Sequence, residues 1–254
     1  MERVASTDGT SIAVDRSGSG PPLVIVVGAF CDRSTSKSLA ALLGSSYTVY
    51  EYDRRGRGDS DQDVAFSVEL EVDDLAAVVA ATGQAPFVYG HSSGGSLALE
   101  AAARGVEMRR LAVYEPPYTG DALPDDQFDE QLDGLVAAGR RDQAAERFVA
   151  ITGAPAAVIE SIKSGPRWAR MQALAHTLSQ DVRLANDGQV PIERFERIGI
   201  PVLAIAGGAS APWAAPVVAT LARALPSATE QILDGQTHAV ADPVIAAILE
   251  RFFQ

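Results

Sequence analysis

The chain is poor in the residues that several common classes of protein depend on. Only one of its 254 residues, Cys31, is a cysteine, so no internal disulfide can form and nothing indicates an oxidising compartment. An isolated cysteine is also a weak basis for a metal site, and none is expected. No apolar run approaches the roughly 18–20 residues that span a bilayer, and the N-terminus lacks the apolar core of a secretory signal. We therefore expect a cytoplasmic protein.

Basic residues are scarce as well. The chain has 21 Lys and Arg against 33 Asp and Glu, a formal net charge of −12. Nucleic acids and anionic membrane surfaces are bound through basic patches, so neither is expected as a partner. The length suffices for one large α/β domain. Composition leaves the oligomeric state open.

Short apolar runs alternate with Ala- and Leu-rich stretches along most of the chain. This alternation predicts an α/β fold with a mostly parallel central sheet and helices on both faces. Residues 118–190 interrupt it with helical spacing and no convincing strand. We therefore predict a helical cap inserted after the strand that ends near Tyr114, above a core of residues 1–117 and 191–254. The strands are expected at 10–16, 23–27, 47–52, 87–89, 111–114, 200–206 and 229–233.

The most informative motif is G-H-S-S-G at residues 90–94, between an apolar run and a helical stretch. A G-x-S-x-G between strand and helix is the nucleophile elbow, in which a strained turn presents the serine and glycines avoid a clash between neighbouring chains. Ser92 is therefore the candidate nucleophile. The helix that follows favours negative charge developing at its N-terminus.

Only three histidines are available as a general base. His91 lies inside the elbow, where we expect its side chain to point away from the pocket and to be structural. His176 lies in the predicted cap, as a surface or pocket-lining residue. His238 follows the last predicted strand and precedes the last helix, from where a loop can reach Ser92 across the sheet edge. His238 is therefore the candidate base.

Four motifs together resemble those of an α/β-hydrolase of the lipase/esterase-like superfamily: P-P-L-V-I-V-V-G at 21–28, D-R-R-G-R-G-D-S at 53–60, G-H-S-S-G at 90–94 and G-Q-T-H at 235–238. The resemblance covers essentially the whole chain. It implies a small-molecule acyl substrate and no cofactor. It also implies an oxyanion hole made of the Ser93 backbone N–H and that of Ala29, with Phe30 as an alternative to Ala29. The His-Gly common in that turn is Val-Gly here, which leaves the backbone donors in place.

The acid of the triad departs from the common pattern. Most relatives carry it after the strand corresponding to 200–206, but residues 207–213 read G-G-A-S-A-P-W, with no carboxylate. Some relatives place the acid after the strand that follows the elbow helix, and there this chain has Glu115. Asp234 is the fallback, and Ser210 offers a neutral hydrogen bond instead. Glu115 is therefore our candidate acid.

These residues predict a cofactor-free serine hydrolase that cleaves a carboxylic ester, lactone or thioester through an acyl-enzyme on Ser92. Two alternatives stay open: an acyltransferase, cyclase or perhydrolase using the same site, and a low-turnover ligand-binding protein on the same fold. We expect the arginines of 53–60 to hold their loop through carboxylates such as Asp53 and Asp59, rather than to bind an anionic substrate. The predicted pocket walls are Phe30, Phe128, Trp168, Met171, His176 and Trp213.

Overall fold

A computed structural model describes residues 1–62, 64–120 and 127–254. The strands of this part of the chain form one eight-stranded sheet: β1 (Glu2–Ala5), β2 (Ser11–Gly18), β3 (Pro22–Val26), β4 (Thr48–Tyr52), β5 (Phe87–His91), β6 (Arg110–Tyr114), β7 (Val202–Gly207) and β8 (Ala228–Leu233). Their order across the sheet is β1-β2-β4-β3-β5-β6-β7-β8. The pairs β1–β2 and β2–β4 are antiparallel, and all the others are parallel. The predicted mostly parallel α/β sheet is confirmed.

The central strands are buried over their whole length because both faces of the sheet are covered. Every residue of β3, β4 and β7 is buried. Such strands read as continuous apolar runs rather than as alternating ones, which is why their positions were visible in the sequence. Since the strands from β3 to β8 are parallel, their carboxyl ends lie along one edge of the sheet. The loops that follow these strands meet at that edge.

Helices cover the two faces of the sheet in two apolar layers, formed by α1 (Lys37–Leu43), α2 (Val68–Ala81), α3 (Ser93–Ala103), α10 (Ala214–Ala224) and α11 (Asp242–Phe253). One layer packs α2, α3 and α10 against the sheet through residues such as Leu75, Leu97 and Leu221. The other packs α1 and α11 through residues such as Leu43 and Leu249.

Between β6 and β7 the described residues form only helices, as the sequence predicted for this segment. We call residues 127–195 the helical insertion; its α-helices are α4 (Phe128–Ala137), α5 (Arg141–Ile151), α6 (Ala156–Lys163), α7 (Trp168–Ala173), α8 (Leu178–Leu184) and α9 (Ile192–Phe195). It has its own apolar cluster, which includes Phe128, Leu132 and Leu178. Residues 121–126 of the predicted cap lie outside the described residues. That 118–190 is a separate cap domain stays a prediction.

One strand of the sheet was not predicted. β1 has only four residues, mostly exposed, and pairs with β2 alone at the edge of the sheet. A short edge strand that carries Glu2 and Arg3 has neither the apolar run nor the clean alternation that marks a strand in a sequence. Its existence depends on pairing with β2 rather than on its own composition.

No described helix is long and apolar enough to cross a membrane.

Candidate active site

Ser92 lies in a sharp turn between β5 and α3. Its backbone has φ 56° and ψ −130°, a left-handed conformation that a residue with a side chain rarely adopts. The Ser92 amide donates to the carbonyl of Tyr114 at 2.8 Å, which fixes the turn to the end of β6. A Cβ at Gly90 would lie 2.6 Å from the carbonyl oxygen of Gly94, so this side of the turn requires glycine. The turn has the geometry expected of a nucleophile elbow.

His238 follows β8 on a loop that is held from two sides. The hydroxyl of Tyr114 donates to the carbonyl of Thr237 at 2.6 Å, and His91 Nε2 donates to the carbonyl of His238 itself at 2.9 Å. The His91 ring stacks on Tyr114 with 5.5 Å between ring centroids. His91 therefore supports the backbone of the candidate base. It also lines the cavity that Ser92 lines, although we expected it to point away from the pocket.

The pKa of His91 is lowered to about 4 from an ordinary value of 6.5. Burial is the main cause, because it disfavours the charged ring, and the neighbouring His238 lowers the pKa further. A neutral His91 with its proton on Nε2 can donate to the His238 carbonyl, as the geometry requires.

Glu115 lies directly after β6 and contacts His238. Its carboxylate is fully buried: Oε2 lies 2.6 Å from His238 Nδ1, and Oε1 accepts the Gly207 amide at 2.7 Å. Burial alone would raise the pKa of this carboxyl, but the hydrogen bonds with His238 and Gly207 help to lower it below its ordinary value. Glu115 is thus an ionised partner for the Nδ1–H of His238.

The alternatives to Glu115 do not occupy this position. Asp234 is exposed, and no hydrogen bond or ion pair between described residues joins it to His238. The hydroxyl of Ser210 has no hydrogen-bond partner among the described residues, so it does not bind His238 either. Glu115 also has a left-handed backbone, with φ 46°.

The turn after β3 lies against the elbow. A Cβ at Gly28 would lie 2.8 Å from Ser92 Cβ, so the turn can approach the candidate nucleophile only because residue 28 is glycine. Phe30 in the same turn has φ 58°. The backbone amides of Ala29, Phe30 and Ser93 donate no hydrogen bond to another described residue. All three are therefore free to bind an oxygen atom of a ligand.

A cavity of about 360 Å³ lies between the turn after β3, the elbow and the His238 loop, with Ala29 and Phe30 in its lining. Ser92 and His238 both line it, although no hydrogen bond between described residues joins Ser92 Oγ to His238. The contact between a serine and its base is often long without substrate, so its absence does not argue against the pair. The wall is mainly apolar and includes Leu39, Phe148, Val149 and Ile245, with Thr152, Arg167 and Asp242 among its polar members.

The structure places two of the six predicted pocket walls, Phe30 and Met171, in the lining of this cavity. The other four residues do not line this cavity, and their role as pocket walls stays a prediction. Phe128 is buried in the apolar cluster of the helical insertion, and Trp168 packs on that cluster, as Phe30 does. His176 Nε2 lies 2.8 Å from the carbonyl of Gly56. Trp213 packs beside the His238 ring, at 6.5 Å between centroids.

Sequence reasoning missed several lining residues, among them Phe148 and Arg167. Phe148 contacts Phe30 edge-to-face, with 5.3 Å between centroids. Its position in an apolar stripe of α5 indicated burial, but nothing in the sequence distinguished the inner wall of the helical insertion from its own core.

The arginines that follow β4 are buried and bind other carboxylates than predicted. Arg54 pairs with Glu71 and with Asp181, at 2.8 Å for the latter. Arg55 pairs with Asp74 at 2.7 Å, and Arg57 pairs with Asp181 at 2.9 Å. The predicted partners, Asp53 and Asp59, both bind Arg33 instead. Glu71 and Asp74 lie one turn apart on the buried face of α2, a spacing that pairs them with consecutive arginines of the loop.

Comparison with known proteins agrees with this geometry. A family model described as "Alpha/beta hydrolase family" matches residues 23–247. A solved structure of an alpha/beta hydrolase from Sphaerobacter thermophilus is 44% identical, with both chains covered completely and a TM-score of 0.94. This chain therefore belongs to the alpha/beta hydrolase family, and its relatives support a hydrolase.

Two more distant relatives are named for an activity. The N-formylmaleamate deformylase of Pseudomonas putida is 34% identical over 107 residues, which cover 41% of this chain and 40% of that protein. The chain thus aligns with well under half the length of this curated relative. The solved structure of an esterase from a Rhodococcus species is 21% identical in sequence, with a TM-score of 0.72. The match covers 99% of this chain and 97% of the esterase chain. That likeness shows the fold alone.

Proposed function

We propose that the protein is a cofactor-free serine hydrolase that cleaves a carboxylic ester, lactone or thioester. The observation that carries the proposal is the buried Glu115 carboxylate, 2.6 Å from His238 Nδ1. Ser92 lies on a strained elbow and lines the same cavity as His238. A serine, a histidine and a carboxylate in this relation form an activated nucleophile.

In the proposed reaction, Ser92 Oγ attacks the substrate carbonyl and passes its proton to His238. The new Oγ–C bond moves an electron pair onto the carbonyl oxygen, which the amides of Ser93 and Ala29 or Phe30 stabilise. Glu115 stabilises the imidazolium that forms. His238 then protonates the leaving oxygen or sulfur as its bond to carbon breaks, which leaves the acyl group on Ser92.

Deacylation repeats these steps with water. His238 takes a proton from the water as its oxygen attacks the acyl carbon, and returns the proton to Ser92 Oγ as the ester bond breaks. The products are the carboxylic acid and the free enzyme. With an alcohol or amine in place of water the same intermediate gives acyl transfer, the alternative that the sequence left open.

The cavity and the relatives guide the choice of substrates. A volume of about 360 Å³ lies at the lower end of the usual range for ligand pockets, roughly 300–1,000 Å³, which favours a small acyl group. Distant relatives include an esterase, a deformylase and an enol-lactonase. A first panel should therefore hold short p-nitrophenyl esters, small lactones, thioesters and an N-formyl amide.

The intact mass after incubation with a fluorophosphonate probe tests the proposal. We expect one adduct in the wild type and none in Ser92→Ala, with labelling of His238→Ala slowed by several orders of magnitude. A wild type that folds but takes up no probe would contradict an activated Ser92. The low-turnover ligand-binding protein would then be the better hypothesis.

A further inference from the structure

We propose that Asp181, a carboxylate of the helical insertion, is a positioning residue that orients both halves of the oxyanion hole. The inference rests on the proposed function. Asp181 lies on α8, far from Ser92 in sequence, and its side chain is 1% exposed. Its carboxylate binds three groups: the guanidinium groups of Arg54 and Arg57 and the hydroxyl of Ser93.

Asp181 acts on the first half of the proposed oxyanion hole, the amide of Ala29, through Arg57. Asp181 binds Arg57 Nη2 with both carboxylate oxygens at 2.9 Å, and Arg57 Nη1 donates to the carbonyl of Gly28 at 2.7 Å. A trans peptide group is planar, so the N–H of Ala29 points opposite to the carbonyl of Gly28. Because Arg57 holds that carbonyl toward the buried ion cluster, the Ala29 N–H points away from the cluster. Arg57 thereby fixes the direction of one candidate oxyanion donor.

Arg57 also reaches the far side of the same turn. Its Nη1 lies 3.3 Å from the carbonyl of Cys31, so one guanidinium nitrogen contacts carbonyls on both sides of Ala29 and Phe30. The turn between these contacts contains Phe30 with its left-handed backbone. Whichever of the two amides binds the oxyanion, its position is set by Arg57.

Asp181 acts on the second half of the proposed oxyanion hole, the amide of Ser93, through a direct hydrogen bond to the Ser93 side chain. Ser93 Oγ donates to Asp181 Oδ1 at 2.7 Å, and Ser93 is the first residue of α3, immediately after the elbow serine. Ser93 is 1% exposed, so its side chain has no alternative partner in water. Holding the side chain fixes the Cα of Ser93 and with it the direction of the amide that is the other candidate donor.

The buried charges around Asp181 balance each other, which favours a single rigid arrangement. Arg54 and Arg57 face Glu71 and Asp181, so two buried cations meet two buried anions. Burial would raise the pKa of Asp181, but Arg57, Arg54 and the Ser93 hydroxyl lower it, so the carboxylate is ionised. A balanced, hydrogen-bonded cluster of this kind admits few alternative geometries.

Asp181→Asn tests the inference, with Asp74→Asn as the matched control. Asp74 forms an equally buried two-pronged pair with Arg55, from the same loop, but no hydrogen bond or ion pair between described residues joins it to the turn after β3 or to α3. We expect Asp181→Asn to lower kcat for p-nitrophenyl acetate about 100-fold with little change in KM, because misplaced donors weaken transition-state binding. The rate of fluorophosphonate labelling should fall similarly. Asp74→Asn should retain kcat within about threefold.

Ser93→Ala covers the case in which Asp181→Asn does not fold, since it removes one hydroxyl and keeps the backbone amide. We expect about a tenfold lower kcat with KM and the pH profile unchanged, since the base is untouched. Equal kcat in Asp181→Asn and Asp74→Asn, or an unchanged kcat in Ser93→Ala, would overturn the positioning role while Ser92-dependent labelling stands. A wild type without such labelling would overturn the proposed function, and this inference with it.

Discussion

Replacing Glu115 by Gln removes the charge of the proposed triad acid and keeps its shape. The Gly207 amide donates to Oε1 at 2.7 Å, so the glutamine must keep its carbonyl oxygen on that side. Its NH₂ group then faces His238 Nδ1, which can only accept from it. The proton of His238 is thereby forced onto Nε2, the nitrogen that should take the proton of Ser92. The variant therefore holds the base in the wrong tautomer.

The expected loss follows from the distances. A unit negative charge 2.6 Å from the imidazolium contributes about 6 kcal/mol at an effective dielectric constant of roughly 20. Solvent reduces this at the half-exposed His238 side chain, and the wrong tautomer adds to the loss. We expect kcat to fall on the order of 10⁴-fold, which corresponds to about 5.5 kcal/mol of barrier.

The assay is hydrolysis of p-nitrophenyl acetate, with fluorophosphonate labelling as a measure that does not depend on deacylation. Asp234→Asn is the matched control, since it removes the fallback acid from the same loop, and it should retain wild-type kcat. Nitrogen chemical shifts of His238 should show protonation at Nδ1 in the wild type and at Nε2 in Glu115→Gln. A loss below tenfold, or a large loss in Asp234→Asn, would refute Glu115 as the acid.

Three further predictions concern the surroundings of the site. Gly28→Ala would place a Cβ 2.8 Å from Ser92 Cβ, so kcat should fall at least about tenfold in a folded protein, and an unchanged kcat would contradict the tight turn. Met171→Ala should enlarge the cavity and raise the ratio of kcat/KM for p-nitrophenyl butyrate over acetate; a constant ratio would remove Met171 from the acyl site. His91 has a folded pKa of about 4 against an ordinary 6.5, so the unfolded state binds more protons between these values. Stability from this residue is complete above pH 6.5 and is lost as the pH falls toward 4. Urea unfolding at pH 7 and pH 5 should therefore show a smaller difference in His91→Gln than in the wild type, and an equal difference would refute the shifted pKa.

The elements nearest the candidate active site were the most predictable from sequence. Strand positions followed from buried apolar runs, and the elbow followed from the spacing of its glycines. Glu115 was predicted from the resemblance to the hydrolases, because residues 207–213 hold no carboxylate and some relatives carry the acid after the strand that follows the elbow helix. The structure places its carboxylate against His238.

What could not be predicted depends on distant parts of the chain. The arginine loop binds Asp181, which lies more than 120 residues away in the helical insertion, so local sequence pointed to the wrong carboxylates. Phe128 and Phe148 show the same difficulty. Both lie in apolar stripes of amphipathic helices, and only the packing of α4 on α8 and of α5 on Phe30 separates core from cavity wall.

The left-handed residues of the site bear on how this enzyme can be engineered. Phe30, Ser92 and Glu115 are three of the five described non-glycine residues with positive φ, and such conformations cost on the order of 1–3 kcal/mol each. Together they amount to a large share of the roughly 5–15 kcal/mol that holds a domain folded. Directed evolution that selects only for heat resistance would therefore favour glycine or asparagine at these positions. Variants selected for such substitutions at Ser92 and Glu115 would be thermostable but would lack the proposed nucleophile or acid.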